Sequence, residues 1–574
     1  MGKEGKRIIL AAGLSFLVLI GFQYFTPGKT KPTAIKQKAI VTAEAVAPVL
    51  AAEIKVVKER TTAESDIANP KTTLKGEDVV IETSFATVTL NTAGGAIKSW
   101  VLKDYKESGK PVDMVWKSEK NTLPGILKIP SLKFFDEVLY KSKKTETGVE
   151  FFTVVKGVVE ITKNYSFGKE KFTSEITLKV KSLNKEVKNI LDAKLYLGTG
   201  VNNHFIYNAK GVILEKDMAA IKENMQVVSN IYYVDEKLVK NTFAMKESVN
   251  EKGEPAFILK DDAKRTENGE LSWIGIKDKY YISVFIPKKG SGMKGEEHAV
   301  LYNPKMETKA NKEIEVNFPL PTSVLLFPAF DGEKGANISV TYYSGPIAYE
   351  NLKSFKVGLH RAMELGWGWF NWFGIWMLVA LKWCFAITKN WGVAIILITV
   401  LLKIITWWPT QKSYIAMKKM QEIQPEIAAL KTKYKDNAQK MTEETMRIYK
   451  EKKVNPLGGC LPMLLQIPIF VAFYAVLANA IELKNASFLI WSDLSVRDPY
   501  FILLILMLVT MIIQQKMTPA TDPQQAKMMM WMMPAVFAFI FWSLPAGLLL
   551  YFAVQNILSI LQQWMVNRNA HLVS

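Results

Sequence analysis

The sequence has 574 residues, of which 49% are hydrophobic and 22% are charged, and its formal net charge is +19. A chain of this length accommodates several domains, and its polar first half and apolar second half indicate a membrane protein with a separate soluble part. Two cysteines exclude a disulfide framework, and four scattered histidines lack the spacing of a zinc site. The positive charge is typical of proteins that bind either nucleic acid or a membrane surface.

The amino-terminal segment, residues 1–27, predicts a membrane anchor. Residues 1–7 carry three cations, and residues 8–25 are apolar apart from one Ser and one Gln. No small residues follow at the spacing of a signal-peptidase site, so we expect an uncleaved signal anchor whose amino terminus lies in the cytoplasm. Residues 28–76 contain no aromatic residue and are rich in Lys, Thr, Ala, Glu and Pro, which predicts a flexible tether.

Residues 77–350 predict a large β domain. Their β-branched and aromatic residues alternate with polar residues in short segments that end in Gly, Asn or Lys-rich turns. Many short strands over this length are typical of an antiparallel sandwich. The segment GSGMKG at 290–295 matches the glycine pattern of a dinucleotide site. It precedes a strand-like sequence instead of the required helix, so we do not expect it to bind a nucleotide.

Residues 351–390 link this domain to the membrane part and contain a tryptophan-rich apolar stretch at 370–387. Counted as a span, this stretch would give seven crossings and would place the basic segment 410–455 outside the cell membrane. That segment has eleven Lys and Arg against six Asp and Glu, and such loops stay in the cytoplasm. We therefore expect 370–387 to lie flat in the outer interface.

Residues 391–566 predict five membrane-spanning helices. The expected spans are 391–408, 458–480, 499–515, 528–543 and 547–564. With the anchor they make six spans and place both termini, including the short tail 567–574, in the cytoplasm. The loop charges agree with this topology, since residues 481–498 carry a net charge of −1 and residues 516–527 a net charge of +1.

One cation interrupts the first of these five spans. Lys403 lies 12 residues after Trp391 and five before Trp408, hence within the apolar layer. An intramembrane lysine is costly and usually faces protein or water on a pathway, although a lysine this close to the interface can also extend its ammonium to the headgroups. Thr399 lies one helical turn earlier on the same face.

Other polar residues in the predicted spans are candidates for the same surface. They are Gln466, Gln555, Asn556, Ser559 and Gln562. Gln555, Ser559 and Gln562 are spaced by four and three positions and therefore share one face of the last predicted span. Interhelical hydrogen bonding is the alternative role for such residues.

The basic segment 410–455 predicts a helical hairpin. Its first arm carries apolar residues at spacings of three and four, the pattern of a two-helix pairing. These residues are Met420, Ile423, Ile427, Leu430 and Tyr434. A turn at Asp436 and Asn437 precedes a shorter second arm.

Several motifs resemble the YidC membrane protein insertase family of bacteria, mitochondria and chloroplasts. The matching segments are NPLGGC (455–460), LPMLLQIPIF (461–470), DPYFILLILM (498–507), QQKM (514–517) and LPAGLLLYFAVQN (544–556). The resemblance implies that Lys403 stands in place of an arginine in a polar substrate groove; lysine keeps the charge but lacks the planar donor fork. It also implies an apolar surface along which substrates slide, comprising Phe470, Met507, Met511, Met530, Tyr551 and Phe552.

The resemblance also implies a fold and a function. The expected fold is a polytopic α-helical membrane protein with six spans, a five-helix insertase core and an extracytoplasmic β-sandwich similar to those of sugar mutarotases. The expected function is to insert and help fold nascent membrane proteins in the bacterial inner membrane, alone or with the Sec translocon. The short tail implies weak or tail-independent ribosome binding. No nucleotide-binding loop and no nucleophile with a base stand out, so we expect neither a cofactor nor enzymatic activity.

Two other functions are compatible with the same sequence. A channel or secondary transporter would use Lys403 as an ion or proton site and would predict an internal repeat, which the spans do not show. A membrane-tethered sugar-binding or sugar-modifying protein would have its activity in the β domain alone. The insertase hypothesis predicts instead a groove that is open to the cytoplasm and to lipid and closed outside, because polar segments face a barrier in hydrocarbon.

Overall fold

The computed structural model describes most of residues 76–568. Residues 1–75 and 569–574 lie outside the described part, as do short internal segments, chiefly 117–121, 133–137, 201–212, 215–227, 250–254, 260–264, 308–312, 366–370, 455–460 and 518–522. The predicted anchor and nearly all of the predicted tether and tail therefore fall outside the described residues. The chain divides into two compact units, Met1–Gly345 and Pro346–Ser574.

The first unit is built of β-strands whose burial follows the alternation of the sequence. In the strand Thr173–Ser182, the even-numbered side chains from Ser174 onward are buried and the odd-numbered ones are not. The strands are β1 Asp78–Glu82, β2 Ala86–Asn91, β3 Ala96–Glu107, β4 Lys110–Asp113, β5 Leu127–Lys128, β6 Lys141–Lys144, β7 Gly148–Val155, β8 Val159–Phe167, β9 Thr173–Ser182, β10 Asn189–Ile190, β11 Lys194–Thr199, β12 Ile213–Leu214, β13 Ser229–Val234, β14 Lys237–Asn241, β15 Met245–Val249, β16 Pro255–Leu259, β17 Arg265–Glu267, β18 Leu271–Lys277, β19 Tyr281–Pro287, β20 Lys294–Tyr302, β21 Lys305–Glu307, β22 Glu313–Glu315, β23 Phe318–Leu326, β24 Phe330–Asp331 and β25 Ala336–Pro346.

Two sheets form the frame of this unit. The larger has nine strands in the order β14-β13-β18-β19-β25-β9-β8-β7-β6, and the smaller has five in the order β17-β20-β23-β11-β5. Strands β8 and β9 pair antiparallel, as do β20 and β23, whereas β12 and β21 pair in parallel. The two sheets are in contact, since Ser323 Oγ on β23 donates to Gly275 O on β18 at 2.9 Å. The prediction of a large, mainly antiparallel β domain is confirmed.

The GSGMKG segment forms a turn between two strands. Gly290 and Gly292 adopt φ angles of 74° and 68°, which glycine tolerates because it has no Cβ. Strand β20 follows directly from Lys294, in the place where a dinucleotide site requires a helix. The expectation that this motif is not a nucleotide site agrees with the fold.

The second unit is helical. Its helices are α1 Tyr349–Ser354, α2 Asn371–Thr388, α3 Trp391–Glu422, α4 Gln424–Lys433, α5 Ala438–Glu451, α6 Leu461–Asn479, α7 Ile502–Met517, α8 Pro523–Phe541 and α9 Ala546–Arg568. By length and composition, α2, α3 and α9 are long and apolar enough to cross a membrane, and shorter apolar helices lie at Leu465–Asn479, Ile502–Met517 and Met530–Phe541. Among the described residues, the stretch expected to lie flat is thus as long and apolar as a span.

Helix α2 is held to its own unit by ion pairs. The Lys382 ammonium pairs with the carboxylate of Glu350 on α1 and, at 3.4 Å, with that of Glu482 in the loop after α6. Burial raises the pKa of Glu482, although Lys382 opposes the shift. The exposed face of α2 carries Trp372, Trp376 and Trp383, side chains that suit the interface between lipid and water.

Helix α3 is longer than predicted. The predicted span ends at Trp408, but the helix continues through Pro409 to Glu422. Proline removes one backbone N–H donor and displaces a carbonyl of the preceding turn. Side chains bind this part of the backbone: Thr410 Oγ1 donates to Trp407 O at 3.0 Å, and Gln562 Nε2 of α9 donates to the same carbonyl at 2.9 Å. The helix therefore extends beyond the span predicted at 391–408, since an internal proline is tolerated where neighbouring polar groups bind the nearby backbone.

Helices α4 and α5 fold back on each other. Their buried core consists of Ile423, Ile427 and Val454, and partly buried apolar residues pack against it, namely Met420, Ile448 and Tyr449. Asn437 caps α5 by accepting the Lys440 N–H at 3.0 Å. The structure therefore places Ile423 and Ile427 of the predicted seam in the hairpin core and Met420 against it. The last two, Leu430 and Tyr434, are only half-buried.

Candidate functional site

A buried ammonium group lies between α3 and α9. Lys403 is 3% exposed, and its Nζ donates to Ser559 Oγ at 2.8 Å. Within the described part of the chain, no carboxylate forms an ion pair with Lys403. A buried ammonium is costly unless its charge and its N–H groups find partners, and one hydroxyl satisfies only one of its three donors. The site is therefore suited to an incoming anionic or hydrogen-bond-accepting group.

The polar face of α3 points into the helical unit. Thr399 is fully buried, and its Oγ1 donates to Ile395 O at 2.6 Å. The residues on the opposite face, Ile404 and Ile405, are 64% and 68% exposed. Lys403 thus faces protein, and the alternative in which its ammonium reaches outward to the headgroups is wrong.

This face continues beyond Pro409 through Thr410 and Tyr414, which the sequence did not single out, and meets the predicted Gln562. Thr410 Oγ1 lies 3.1 Å from Gln562 Oε1, and the buried Tyr414 hydroxyl hydrogen-bonds the side chain of Ser559. Residues 399, 403, 410 and 414 are separated by four, seven and four positions, which places them on one side of a helix. The spacing was readable in the sequence, but only with α3 continued through the proline.

A second polar contact joins α6 to α9. Gln555 Nε2 donates to Gln466 Oε1 at 3.3 Å, and Gln466 Nε2 donates to the Tyr551 hydroxyl. Gln555 lies one turn before Ser559, so the polar side of α9 faces α6 at one level and Lys403 at the next. The structure thus brings together Lys403, Thr399, Gln466, Gln555 and Ser559 along three helices.

Asn556 does not belong to this polar face. Its Nδ2 donates to Met507 O at 3.4 Å and to Thr510 Oγ1 at 3.3 Å, both on α7. One residue along a helix rotates the side chain by about 100°, so Asn556 is directed away from Gln555. The prediction that Asn556 lines the groove is therefore wrong, and its side chain instead joins α9 to α7.

The predicted apolar surface is only partly available. Met507 and Tyr551 are each 1% exposed, and the Tyr551 ring stacks on Phe473 with centroids 4.3 Å apart. Neither side chain offers a surface to a substrate, contrary to the expectation. Phe470 and Phe552 lie beside each other with centroids 5.4 Å apart. The part-exposed members of the predicted surface are Phe470, Met511, Met530 and Phe552.

The arrangement has the chemistry of a binding surface. It combines one cation, several amide and hydroxyl groups and adjoining aromatic rings. Among the described residues, no group of His, Cys, Asp and Glu could hold a metal ion. Such a surface can bind a polar segment through hydrogen bonds and charge while apolar side chains pack against the rings.

Two family models match the chain. The model of the YidC periplasmic domain matches residues 78–379, and the model described as 60Kd inner membrane protein matches residues 383–572.

Curated relatives match over nearly the full length. Proteins named membrane protein insertase YidC from Syntrophus aciditrophicus, Geotalea daltonii and Citrifermentans bemidjiense are 30%, 32% and 33% identical. Each alignment covers 98% of this chain and 99–100% of the relative.

Two solved structures are similar at low TM-scores. An active YidC insertase with its first transmembrane domain resolved has a TM-score of 0.35 and 17% identity, over 85% of this chain and 92% of that chain. A putative mutarotase from Salmonella typhimurium has a TM-score of 0.27 and 9% identity, over 48% of this chain and 92% of that one. TM-scores this low do not support conclusions about the site, and the similarity of the β domain to mutarotase sandwiches stays a prediction.

The function of the chain follows from its full-length relatives, which are named as insertases and not as enzymes. Relatives at 30% identity or more that match over their whole length, together with family models for both units, show that the chain belongs to the YidC family of membrane protein insertases.

Proposed function

We propose that the helical unit inserts nascent membrane proteins by binding their polar segments at Lys403 while their apolar segments enter the lipid. The observation that carries this proposal is the buried ammonium with a neutral hydroxyl partner. A polar segment that crosses hydrocarbon must leave its water ligands, which costs several kcal/mol for each unsatisfied group. Groups that replace those ligands within the apolar layer lower this barrier without an external energy source.

The substrate segment is expected to be acidic. The Lys403 ammonium has no neutralising carboxylate among the described residues, so its field acts on whatever enters. The neighbouring Gln466, Gln555 and Ser559 can accept or donate hydrogen bonds and therefore tolerate different sequences. Phe470 and Phe552 lie beside this polar face and provide a contact for the apolar part of the substrate.

The proposed topology has six spans, with both termini in the cytoplasm and the β domain in the periplasm. The basic charge of 410–455 supports a cytoplasmic hairpin, and the tryptophans on the exposed face of α2 support its position in the outer interface. The proposed domains are an anchor (1–27), a tether (28–76), the β domain (77–350), a linker with the interfacial helix (351–390), the five-helix core (391–566) and a tail (567–574).

The proposed partners follow from this topology. Nascent membrane proteins and the lipid bilayer are the direct partners of the groove. The Sec translocon and the ribosome are proposed partners by family resemblance. The exposed cations of the hairpin, including Lys419, Lys433 and Lys440, support an electrostatic contact with arriving ribosomes.

Photo-crosslinking to a stalled nascent chain tests the proposal. A photoreactive residue at Gln555 or Phe470 should crosslink to the nascent segment, and the same residue at the exposed Ile404 should crosslink mainly to lipid. Equal crosslinking from all three positions, or crosslinking from Ile404 alone, would place the substrate path elsewhere.

A further inference from the structure

A short apolar turn projects from the loop between α6 and α7. Phe488 and Trp491 exchange main-chain hydrogen bonds: the Phe488 N–H donates to Trp491 O at 2.8 Å, and the Trp491 N–H donates to Phe488 O at 2.9 Å. The two residues between them, Leu489 and Ile490, are 81% and 55% exposed. Tight turns usually carry Gly, Asn, Asp or Ser at such positions. Turn formation therefore does not explain why two bulky apolar residues are found here.

The backbone of this turn is unusual for its sequence. Leu489 has a φ of 50°, a left-handed conformation that bulky residues rarely adopt. A turn sequence chosen for local stability would place glycine or asparagine there. The leucine side chain is therefore held outward at a local conformational cost, as expected where it contacts something beyond the loop.

A rigid frame supports the turn. Phe488 packs against the α3 backbone so closely that a side chain at Gly392 would collide with its ring. The Trp491 indole N–H donates to the buried Asp498 carboxylate at 2.8 Å. Leu494 O accepts the Gly547 N–H of α9 at 2.9 Å. The loop is thus fixed to the first residues of α3 and α9. The exposed position of the apolar turn is therefore held by these contacts.

The position of the loop indicates which surroundings the turn meets. It lies beside the end of α6 and the beginnings of α3, α7 and α9. Apolar helices leave the hydrocarbon layer at their ends, so the loop lies at the edge of that layer. The Arg497 guanidinium lies over the rings of Phe501 and Trp542, 5.6 Å and 5.9 Å from their centroids. Arginine and aromatic rings at one level are typical of the headgroup region.

Further exposed apolar side chains follow the turn in the loop and on α7. Val496 and Tyr500 are exposed in the loop, and Ile502, Ile505 and Val509 are exposed on the following helix. In a membrane protein this face of α7 contacts acyl chains. An exposed apolar turn in the loop that precedes a lipid-facing helix is suited to the same apolar solvent.

We propose that the Leu489–Ile490 turn inserts into the outer leaflet of the bilayer and anchors the extracytoplasmic loop at the level of the acyl chains nearest the headgroups. The proposal rests on the topology proposed above, in which residues 481–498 lie outside. It does not depend on the substrate groove at Lys403. The proposed partner of the turn is phospholipid. The experiment below distinguishes this from contact with a second copy of the chain or with another protein.

Lipid-attached quenchers test this proposal in proteoliposomes of the full chain. Cys384 and Cys460 are replaced by alanine, and a single cysteine is introduced by Leu489→Cys or Ile490→Cys and labelled with an environment-sensitive fluorophore. Ser492→Cys, two residues further along the same loop and also exposed, is the matched control. Crosslinking at Gln555 tests the groove separately, so failure of one experiment is distinguishable from failure of the other.

The expected result is strong quenching at 489 and 490 by a nitroxide near the top of the acyl chain, at least twofold above that at 492. Aqueous iodide should show the reverse order. Iodide quenching at 489 equal to that at 492 would overturn the proposal, because the turn would then be in water. Protection at 489 from both quenchers would also overturn it, because the turn would then be covered by protein.

Discussion

Lys403 Nζ donates to Ser559 Oγ at 2.8 Å and thereby joins the first and last helices of the membrane core across 156 positions of sequence. The partner is a neutral hydroxyl and not a carboxylate. A carboxylate would hold the ammonium in place but would cancel its field, whereas a hydroxyl orients it and leaves the charge uncompensated. This pairing explains how a buried lysine can be both fixed in position and available to an acidic substrate segment.

Removing the charge at position 403 should impair insertion. A hydrogen bond to a charged group contributes about 1.5–3 kcal/mol, so Lys403→Ala should lower insertion of a substrate with an acidic polar segment about tenfold or more. Lys403→Arg should retain most activity because it keeps the charge. Rescue of cells depleted of their own insertase is the measurement, and Ile404→Ala is the control because its side chain faces outward. Equal rescue by Lys403, Ala and Arg would show that the charge is dispensable.

Removing the hydroxyl at position 559 should destabilise the helical unit. Ser559→Ala leaves a buried ammonium without its acceptor, which costs about 1–3 kcal/mol. Ser559→Thr keeps a hydroxyl and should stay close to the parent protein. The midpoint of thermal unfolding in detergent compares the two variants. The pairing would be unimportant for stability if the Ala and Thr variants unfolded at the same temperature.

Truncating the hairpin core should loosen the cytoplasmic hairpin without affecting the other helices. Ile427 is one of three buried residues in a small cluster, so Ile427→Ala should destabilise the hairpin by about 2–3 kcal/mol, near the lower end of the values for such core truncations. Hydrogen exchange of the amides of α4 and α5 should become faster. Met446→Ala, at an exposed position of α5, serves as the control and should leave exchange unchanged. Identical exchange in the two variants would argue against a packed hairpin.

The β domain should lose stability in acid through Glu296. Burial alone would raise the pKa of Glu296, but hydrogen bonds and charge from His298 and Lys194 lower it from 4.5 to about 2. A carboxyl group with a lowered pKa stabilises the fold above its unfolded pKa, and this contribution disappears as the pH falls from about 4.5 to about 2. The stability difference between the parent protein and Glu296→Gln should therefore shrink over this range.

Tryptophan fluorescence during thermal unfolding at a series of pH values measures this difference. Glu333→Gln, at an exposed site, is the control and should change stability little at any pH. A parent-minus-variant difference that stays constant from about pH 5 to pH 2 would mean that the ion pairs of Glu296 do not shift its pKa.

The core of the site was predictable because helical spacing is a local property. Thr399 and Lys403 are one turn apart, as are Gln555 and Ser559, so each pair had to share a face. Which helix each face meets is decided by tertiary packing. Nothing near Asn556 in the sequence indicates that it binds Thr510 of α7.

Other misses have identifiable physical causes. Pro409 reads as a helix end because proline lacks a donor, but the hydrogen bond from Gln562 that accompanies the continuing helix comes from a residue 153 positions later. The family resemblance implies that Met507 and Tyr551 lie on the substrate surface, and methionine also suits adaptable contacts. The same side chains fill interiors well, and residue type alone does not distinguish the two uses.

Access of water to the face around Gln555 is the most direct test of the groove. Gln555→Cys, with Cys384 and Cys460 replaced by alanine, is treated with a small charged thiol reagent applied to either side of membrane vesicles, and Ile404→Cys is the lipid-facing control. The proposed groove predicts labelling of Gln555→Cys from the cytoplasmic side only, protection by a stalled nascent chain, and little labelling of Ile404→Cys. Failure of the reagent to reach Gln555→Cys from the cytoplasm, or equal labelling from both sides, would contradict a groove that is open inward and closed outside.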